Sequence, residues 1–179
     1  MRAFVFRTYN FEFFLDMRLI KLALISLVVL FLVVFLISLL IPAHVRISRA
    51  INVDCARPAN YVSETSTWMK WNELLKNTND SLGLAAGNKK ITGKRIEIVL
   101  TEATQDTVRT VWRNQNGKEI AGVFTFHTAG NITVIQWYFD FYQRWYPWEK
   151  FASINFDKQW GPAMEKSLEN LKKLCEGAQ

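Results

Sequence analysis

Trp137-Tyr138-Phe139-Asp140-Phe141-Tyr142 opens the stretch, residues 137–174, from which the rest of this chain is best read. Its aromatic composition is that of a strand. An aromatic knot follows, Trp145-Tyr146-Pro147-Trp148-Glu149-Lys150-Phe151. Beyond Gly161-Pro162, the residues Met164, Leu168, Leu171 and Cys175 recur at helical spacing. Eleven of the 24 residues from Trp137 to Trp160 are aromatic. Such density is costly to leave in water, so this segment is expected to be the main packing surface, with the other elements covering it.

The residues before it read as a meander. Arg95 to Thr101 alternates through Ile96, Ile98 and Leu100, and a turn near Thr104-Gln105-Asp106 leads to a strand over Val108 to Arg113. Asn114-Gln115-Asn116-Gly117 ends in the Asn-Gly pair of a hairpin. Glu119 to Thr128 follows with Ile120, Phe124 and Phe126 on one face, and Ala129-Gly130-Asn131 turns into the strand from Ile132 to Tyr142. Four strands with short turns and no helices between them exclude a parallel α/β architecture.

Further upstream, Val45, Ile47, Ile51 and Val53 alternate with Arg46, Ser48, Asn52 and Asp54, the pattern of a half-buried strand. Trp68, Trp71 and Leu75 sit at helical spacing, which predicts one or two short helices over residues 61–75. Residues 77–88 are polar, contain Gly83 and Gly87, and read as a loop. Leu82-Gly83-Leu84-Ala85-Ala86-Gly87 lacks the Lys-Ser/Thr ending of a phosphate-binding loop and its strand–helix context. At the other end, Gly161-Pro162 is expected to end a short lead-in helix and start a long one, with Pro162 in its first turn. Glu165, Lys166, Glu169, Lys172 and Lys173 would face water. The order predicts an α+β fold: a curved antiparallel sheet gripping a long C-terminal helix, preceded by one N-terminal transmembrane helix.

That transmembrane helix is read from residues 22–41, twenty in a row without a charge and nearly all Leu, Val, Ile and Phe. Their length suits the hydrocarbon core of a bilayer. A cleaved signal peptide has a shorter apolar region of roughly 7–15 residues and a small-x-small site after it, whereas Ile41-Pro42-Ala43-His44-Val45 is a poor cleavage site. Arg2, Arg7, Arg18 and Lys21 precede the span, and Arg46, Arg49 and Arg57 follow it. Four against three favours the N-terminus inside and the domain on the outer face of the cytoplasmic membrane. The chain is thus divided into an arm (1–18, whose true start is Met1 or Met17), a single-pass anchor (19–41) and a folded domain (43–176).

The 138 residues beyond Ile41 carry 18 Lys and Arg against 14 Asp and Glu, interleaved along the chain. A net +4 without clustering argues against nucleic acid as a partner. Two cysteines, Cys55 and Cys175, with His44 and His127 as the only histidines, give no metal-ligand spacing. No metal or cofactor is expected. Whether the two cysteines pair depends on the compartment.

This order, Val45-x-Ile47-x-Arg49-x-Ile51-x-Val53 and Trp68-x-x-Trp71 together resemble the START-like helix-grip superfamily, also called SRPBCC or polyketide cyclase/dehydrase-like. Gly161-Pro162-Ala163-Met164-Glu165-Lys166-Ser167-Leu168-Glu169-Asn170-Leu171-Lys172-Lys173-Leu174 is similar to the C-terminal helix of small bacterial members with an N-terminal membrane anchor. The knot at residues 145–151 looks like the segment before that helix in those members. Between residues 72 and 90 the family has a further pair of strands with Trp and Gly landmarks. This chain has a polar loop there, so a shortened sheet or a partly open cavity is expected. The resemblance implies a cavity between sheet and C-terminal helix that holds an apolar or amphipathic small molecule or lipid. It brings no shared catalytic motif.

Residues expected to line such a site are Trp137, Phe139, Phe141, Phe124, Phe126, Met164 and Leu168. For acid–base chemistry the candidates are His127, Asp140, Glu97 and Glu102. Gln136, Tyr138 and Asp140 share one face of their strand, and the aromatic face is the one expected inward. His127 is expected on the surface. Three readings therefore stand: a membrane-anchored binding module, an enzyme of the cyclase/dehydrase kind using Asp140 or His127, and an interaction domain docking on membrane or protein through Trp145-Tyr146-Pro147-Trp148.

Overall fold

The computed structural model describes residues 3–55, 57–76, 85–87 and 89–177, with side chains from Met17 onward except at Ala85 and Ala86. The glycine-containing segment at residues 82–84 lies outside them. Helix α1 (Ala3–Leu40) is continuous, so the expected boundary between arm and span falls inside one helix. Its Met17–Leu40 part is 24 residues, with an 18-residue stretch of mean hydropathy 3.2 that is almost wholly exposed, long and apolar enough to cross a membrane.

The rest is α+β. Strand β1 (His44–Val53) leads into three short helices, α2 (Pro58–Ser63), α3 (Trp68–Trp71) and α4 (Glu73–Lys76). Then come β2 (Ala85–Ala86), β3 (Lys90–Thr92), β4 (Ile96–Ala103), β5 (Thr107–Asn114), β6 (Glu119–Ala129) and β7 (Ile132–Tyr142). Helices α5 (Pro147–Ser153) and α6 (Phe156–Glu176) close the chain. The sheet is antiparallel with the order β1-β7-β6-β5-β4-β3-β2. First and last strands are therefore neighbours, paired from His44↔Tyr142 to Val53↔Thr133.

Alternation explains which face is covered. Along β7, Thr133, Ile135, Trp137, Phe139 and Phe141 are buried on the inner face. Ile47 and Val53 of β1 and Phe124 and Phe126 of β6 are buried with them. Helix α6 lies over this face with Met164, Leu168, Leu171 and Cys175 turned inward, as the apolar stripe predicts.

Two features differ from the sequence expectation, and a third answers a question it left open. Ala85-Ala86 pairs with Ile91 and Thr92, so a short strand pair occupies part of the region read as a polar loop. Second, α6 runs through Gly161-Pro162 instead of starting there, and the break from α5 falls near Asn155. Pro162 has no N–H for the Lys158 carbonyl, so it bends the helix without ending it. The turn of helix preceding it is complete, and a tertiary contact holds it. A Cβ on Gly161 would meet the Arg49 guanidinium, so glycine is what lets that side chain cross α6. Arg49 donates through Nε to Glu165 Oε1 (2.6 Å) and through Nη2 to Asp157 Oδ1 (2.8 Å), one partner on either side of the bend.

Third, Cys55 and Cys175 are joined as a disulfide with their Cα atoms 5.9 Å apart, 120 residues apart in sequence. It ties the end of β1 to the last turn of α6. Closing a loop of that length stabilises the fold by about 4–5 kcal/mol in the chain-entropy account.

On the inner face of β6, Gly122 sits where two rings from neighbouring strands converge. A Cβ there would lie 2.8 Å from Phe139 and 2.7 Å from the Thr110 hydroxyl. The space it leaves lets Trp112 and Phe139 meet edge to face at 5.1 Å. Gly122→Ala is expected to cost about 1–3 kcal/mol through overpacking. Urea unfolding followed by fluorescence would measure it, and an unchanged midpoint would refute this account of the glycine.

Candidate functional site

The seven residues expected to line a site come together. Phe124 stacks on Trp137 at 4.8 Å, Trp137 touches Phe139 at 5.1 Å, and Phe139 touches Phe141 at 6.1 Å. Phe126, Met164 and Leu168 are buried in the same core. Alternation on β6 and β7 brings the five rings to one side, and the helical stripe of α6 supplies the other two. None is more than 4% exposed. The site is a closed layer between sheet and helix.

Other rings extend the layer. Trp71 and Trp112 contact Trp137 at 6.2 and 6.4 Å, and Trp68 contacts Phe124 at 6.0 Å. Phe156 and Trp160 close the α6 side over Phe141, at 4.8 and 5.4 Å. Sequence reasoning placed Trp68 and Trp71 on short helices without seeing them in this layer, and it missed Trp112. Trp112 shares the β5 alternation of Val108 and Thr110, the signal that would have placed it inward.

Indole donors inside such a layer need acceptors. Trp68 Nε1 donates to the Val62 carbonyl (2.8 Å), and Trp112 Nε1 to the Thr110 hydroxyl (3.0 Å), which itself donates to the Gly122 carbonyl. Trp137 Nε1 is buried with no acceptor among the described residues. An N–H left so costs about 1–3 kcal/mol, and a bound molecule carrying an oxygen would recover it.

Two clefts open at opposite ends of the sheet. Phe126 forms part of a cleft of about 230 Å³ between Arg57-Pro58-Ala59-Asn60 and the turn at Gln105-Asp106. It lies at the end of the sheet away from α1. At the α1 end, Lys118, Glu119, Tyr142, Arg144 and Glu149 border a larger cleft of about 560 Å³.

The acid–base candidates are elsewhere. Asp140 faces away from the aromatic layer, alternating with Phe139 and Phe141. Its Oδ1 accepts from Arg46 Nε at 2.7 Å and lies 2.9 Å from His44 Nε2, while Arg46 Nη2 reaches Oδ2 at 3.0 Å. The same Arg46 lies over the Tyr138 ring at 4.3 Å, and Gln136 donates to the Ser48 hydroxyl. Burial pushes the Asp140 carboxyl up, but the hydrogen bonds from Arg46 and His44 outweigh it and hold the group below its ordinary range. Glu97 is likewise held low, first by Lys90 and then by Arg113. Glu102 pairs with Arg109, and His127 is exposed. A general acid working near neutrality needs the opposite shift. The three carboxylates, Asp140, Glu97 and Glu102, are arranged as structural ion pairs on the outer face of the sheet.

A carboxyl depressed in the folded state stabilises it above the unfolded pKa of about 3.9, and that stability is lost as pH falls through the folded value. Asp140→Asn should therefore lower stability at pH 7 by about 1–2 kcal/mol, the scale of charge-assisted hydrogen bonds. The gap to the parent protein should narrow only below about pH 4. Urea titrations of both proteins at pH 7 and pH 3 would show it; an equal gap at both would sink the ion-pair reading.

Solved structures share this architecture at low identity. A protein of unknown function from Staphylococcus aureus, SA2116, superposes with a TM-score of 0.57 at 11% identity, over 75% of this chain and 95% of that one. The di-domain ARO/CYC StfQ from the steffimycin biosynthetic pathway gives 0.57 at 10% identity, over 76% of this chain and 52% of its own length. A START superfamily protein from Mycobacterium smegmatis gives 0.50 at 15% identity, over 75% and 99%. At such identity these likenesses speak for the fold alone. No functionally curated protein matches the chain. The family described as polyketide cyclase / dehydrase and lipid transport matches residues 42–176, the whole of the sheet and both C-terminal helices. The chain belongs to that family, and its sheet and long helix are the helix-grip fold.

Proposed function

We propose that the chain is a membrane-tethered carrier. It holds a hydrophobic or amphipathic small molecule or lipid between the sheet and α6, against Trp137, Phe139, Phe141, Phe124, Phe126, Met164 and Leu168. The observation that carries this reading is the indole N–H of Trp137, unpaired among the described residues, inside a layer made mostly of rings and aliphatic side chains. An apolar body with one oxygen acceptor satisfies both. The family, whose description includes lipid transport, supports the same class of ligand.

Tethering rests on Met17–Leu40, which suits a bilayer in length and composition, and on the short step from Leu40 to β1 at His44. The disulfide supports an outer location for the domain, because such bonds persist in oxidising compartments. It agrees with the slight excess of basic residues before the span.

Native mass spectrometry of residues 42–179, purified without detergent, is expected to find a retained small molecule carrying at least one oxygen. Trp137→Phe should weaken its retention by roughly 5–10-fold, the worth of one hydrogen bond. A domain that emerges empty and fails to take up apolar probes would refute the carrier reading. Orientation is tested by acid-trapping cells and alkylating thiols. Both cysteines should be blocked until reduced, and two free thiols would put the domain in the cytoplasm.

A further inference from the structure

We propose that Tyr142, Trp145, Trp148 and Ile154 form an aromatic foot that docks into the interfacial region of the lipid bilayer beside the end of α1. The proposal rests on the membrane anchoring argued above and adds a second, non-covalent attachment of the domain.

Outside α1, five large apolar side chains are exposed among the described residues, and four of them fall within residues 142–154. Tyr142, Trp145, Trp148 and Ile154 are each between 61% and 69% exposed. The fifth, Ile132, is at the opposite end of the sheet. Such clustering is unlike the scattered apolar residues of an ordinary surface. Nor are these rings loose. Tyr146 stacks on Trp148 at 4.9 Å and meets Trp145 at a tilt at 4.7 Å, so both exposed indoles rest against one ring.

What selects a bilayer as the occupant is where the foot is held. Helix α5 packs against the last turns of α1, and Lys150 Nζ donates to the Ser38 carbonyl at 3.1 Å. Ser38 is fully buried in a helix whose described side chains are otherwise exposed, apart from a half-buried Val34. The Ser38 carbonyl also accepts from the Ile41 N–H at 3.3 Å, and a buried ammonium added at a helix C-terminus is a favourable cap. The contact sets α5 at the level where the apolar span stops, two residues before Pro42 breaks the chain. Trp and Tyr favour that depth, with their rings among the upper acyl chains and their polar atoms among headgroups. Arg144, exposed next to Trp145, suits anionic headgroups. Docking would turn the α1 end of the sheet, with Phe141, Phe156 and Trp160 in the seam under α6, towards lipid.

The test uses the full chain reconstituted in phosphatidylcholine–phosphatidylglycerol vesicles whose acyl chains are brominated near the glycerol. Bromine quenches tryptophan at contact distance, and five of the seven tryptophans belong to the domain interior or its seam. The unmodified protein should be quenched, and the double variant Trp145→Phe, Trp148→Phe should lose roughly half or more of that quenching if these indoles sit at the interface. Trp148→Phe alone should lose part of it, which guards against a folding defect in the double variant. Alkaline carbonate extraction, run in parallel, reports the anchor. Protein that stays in the pellet but shows equal quenching with and without the two indoles would overturn the foot while leaving the anchor standing. Protein washed off by carbonate would remove both.

Discussion

Trp137, Phe139 and Phe141 place three large rings on one side of a single strand, and no strand can keep such a surface out of water unaided. Each ring is worth about 1.5–3 kcal/mol when fully buried. The layer formed with Phe124, Trp71, Trp112 and α6 is therefore the largest favourable contribution the domain has available. Most other features follow from covering it. The sheet must curve towards the helix, α6 needs a continuous apolar stripe, and Gly122 must leave room for rings that cross between strands.

Helix α6 is tied to β1 in two unequal ways. Arg49 holds Asp157 and Glu165 through exposed ion pairs, each worth at most about 1 kcal/mol. The disulfide at Cys175 is covalent. The N-terminal half of the helix, where Phe156 and Trp160 cover Phe141, is thus held by interactions that exchange readily with water. Its C-terminal end is not. For a domain whose interior is a closed aromatic layer, that asymmetry makes the N-terminal half the weaker side of the seam.

The two faces of the sheet divide the chemistry. Inside are mostly rings and aliphatic groups, with the Trp137 indole N–H unpaired among the described residues; outside, Asp140 pairs with Arg46 and His44, Arg46 lies over Tyr138, and Gln136 donates to Ser48, all along β1 and β7. Charge is concentrated where it stabilises pairing of the two strands, in carboxyls held ionised by their partners. An aromatic layer and a structural ion-pair ladder share two strands without sharing a face.

Patterns of period two and 3.6 were legible in the chain from the start: the strands, the inward aromatic face of β7, the stripe of α6 and the long apolar span are all local regularities. Six of the seven residues expected at the site follow from face assignment on β7, β6 and α6, and Phe126 from its step of two beyond Phe124. What escaped sequence reading depends on partners far away along the chain. Pro162 reads as a helix start because a proline usually is one; Arg49, 113 residues earlier, is what holds the turns on both sides of it. Cys55 and Cys175 read as an open question until the fold brings β1 and the last turn of α6 together. Trp137 reads as an inward ring expected to line a site, and its unpaired N–H emerges only once the acceptors around it have been assigned. Local periodicity decides what a segment is, whereas pairing across 100 residues decides what it touches, because such contacts form only after the chain has folded back on itself.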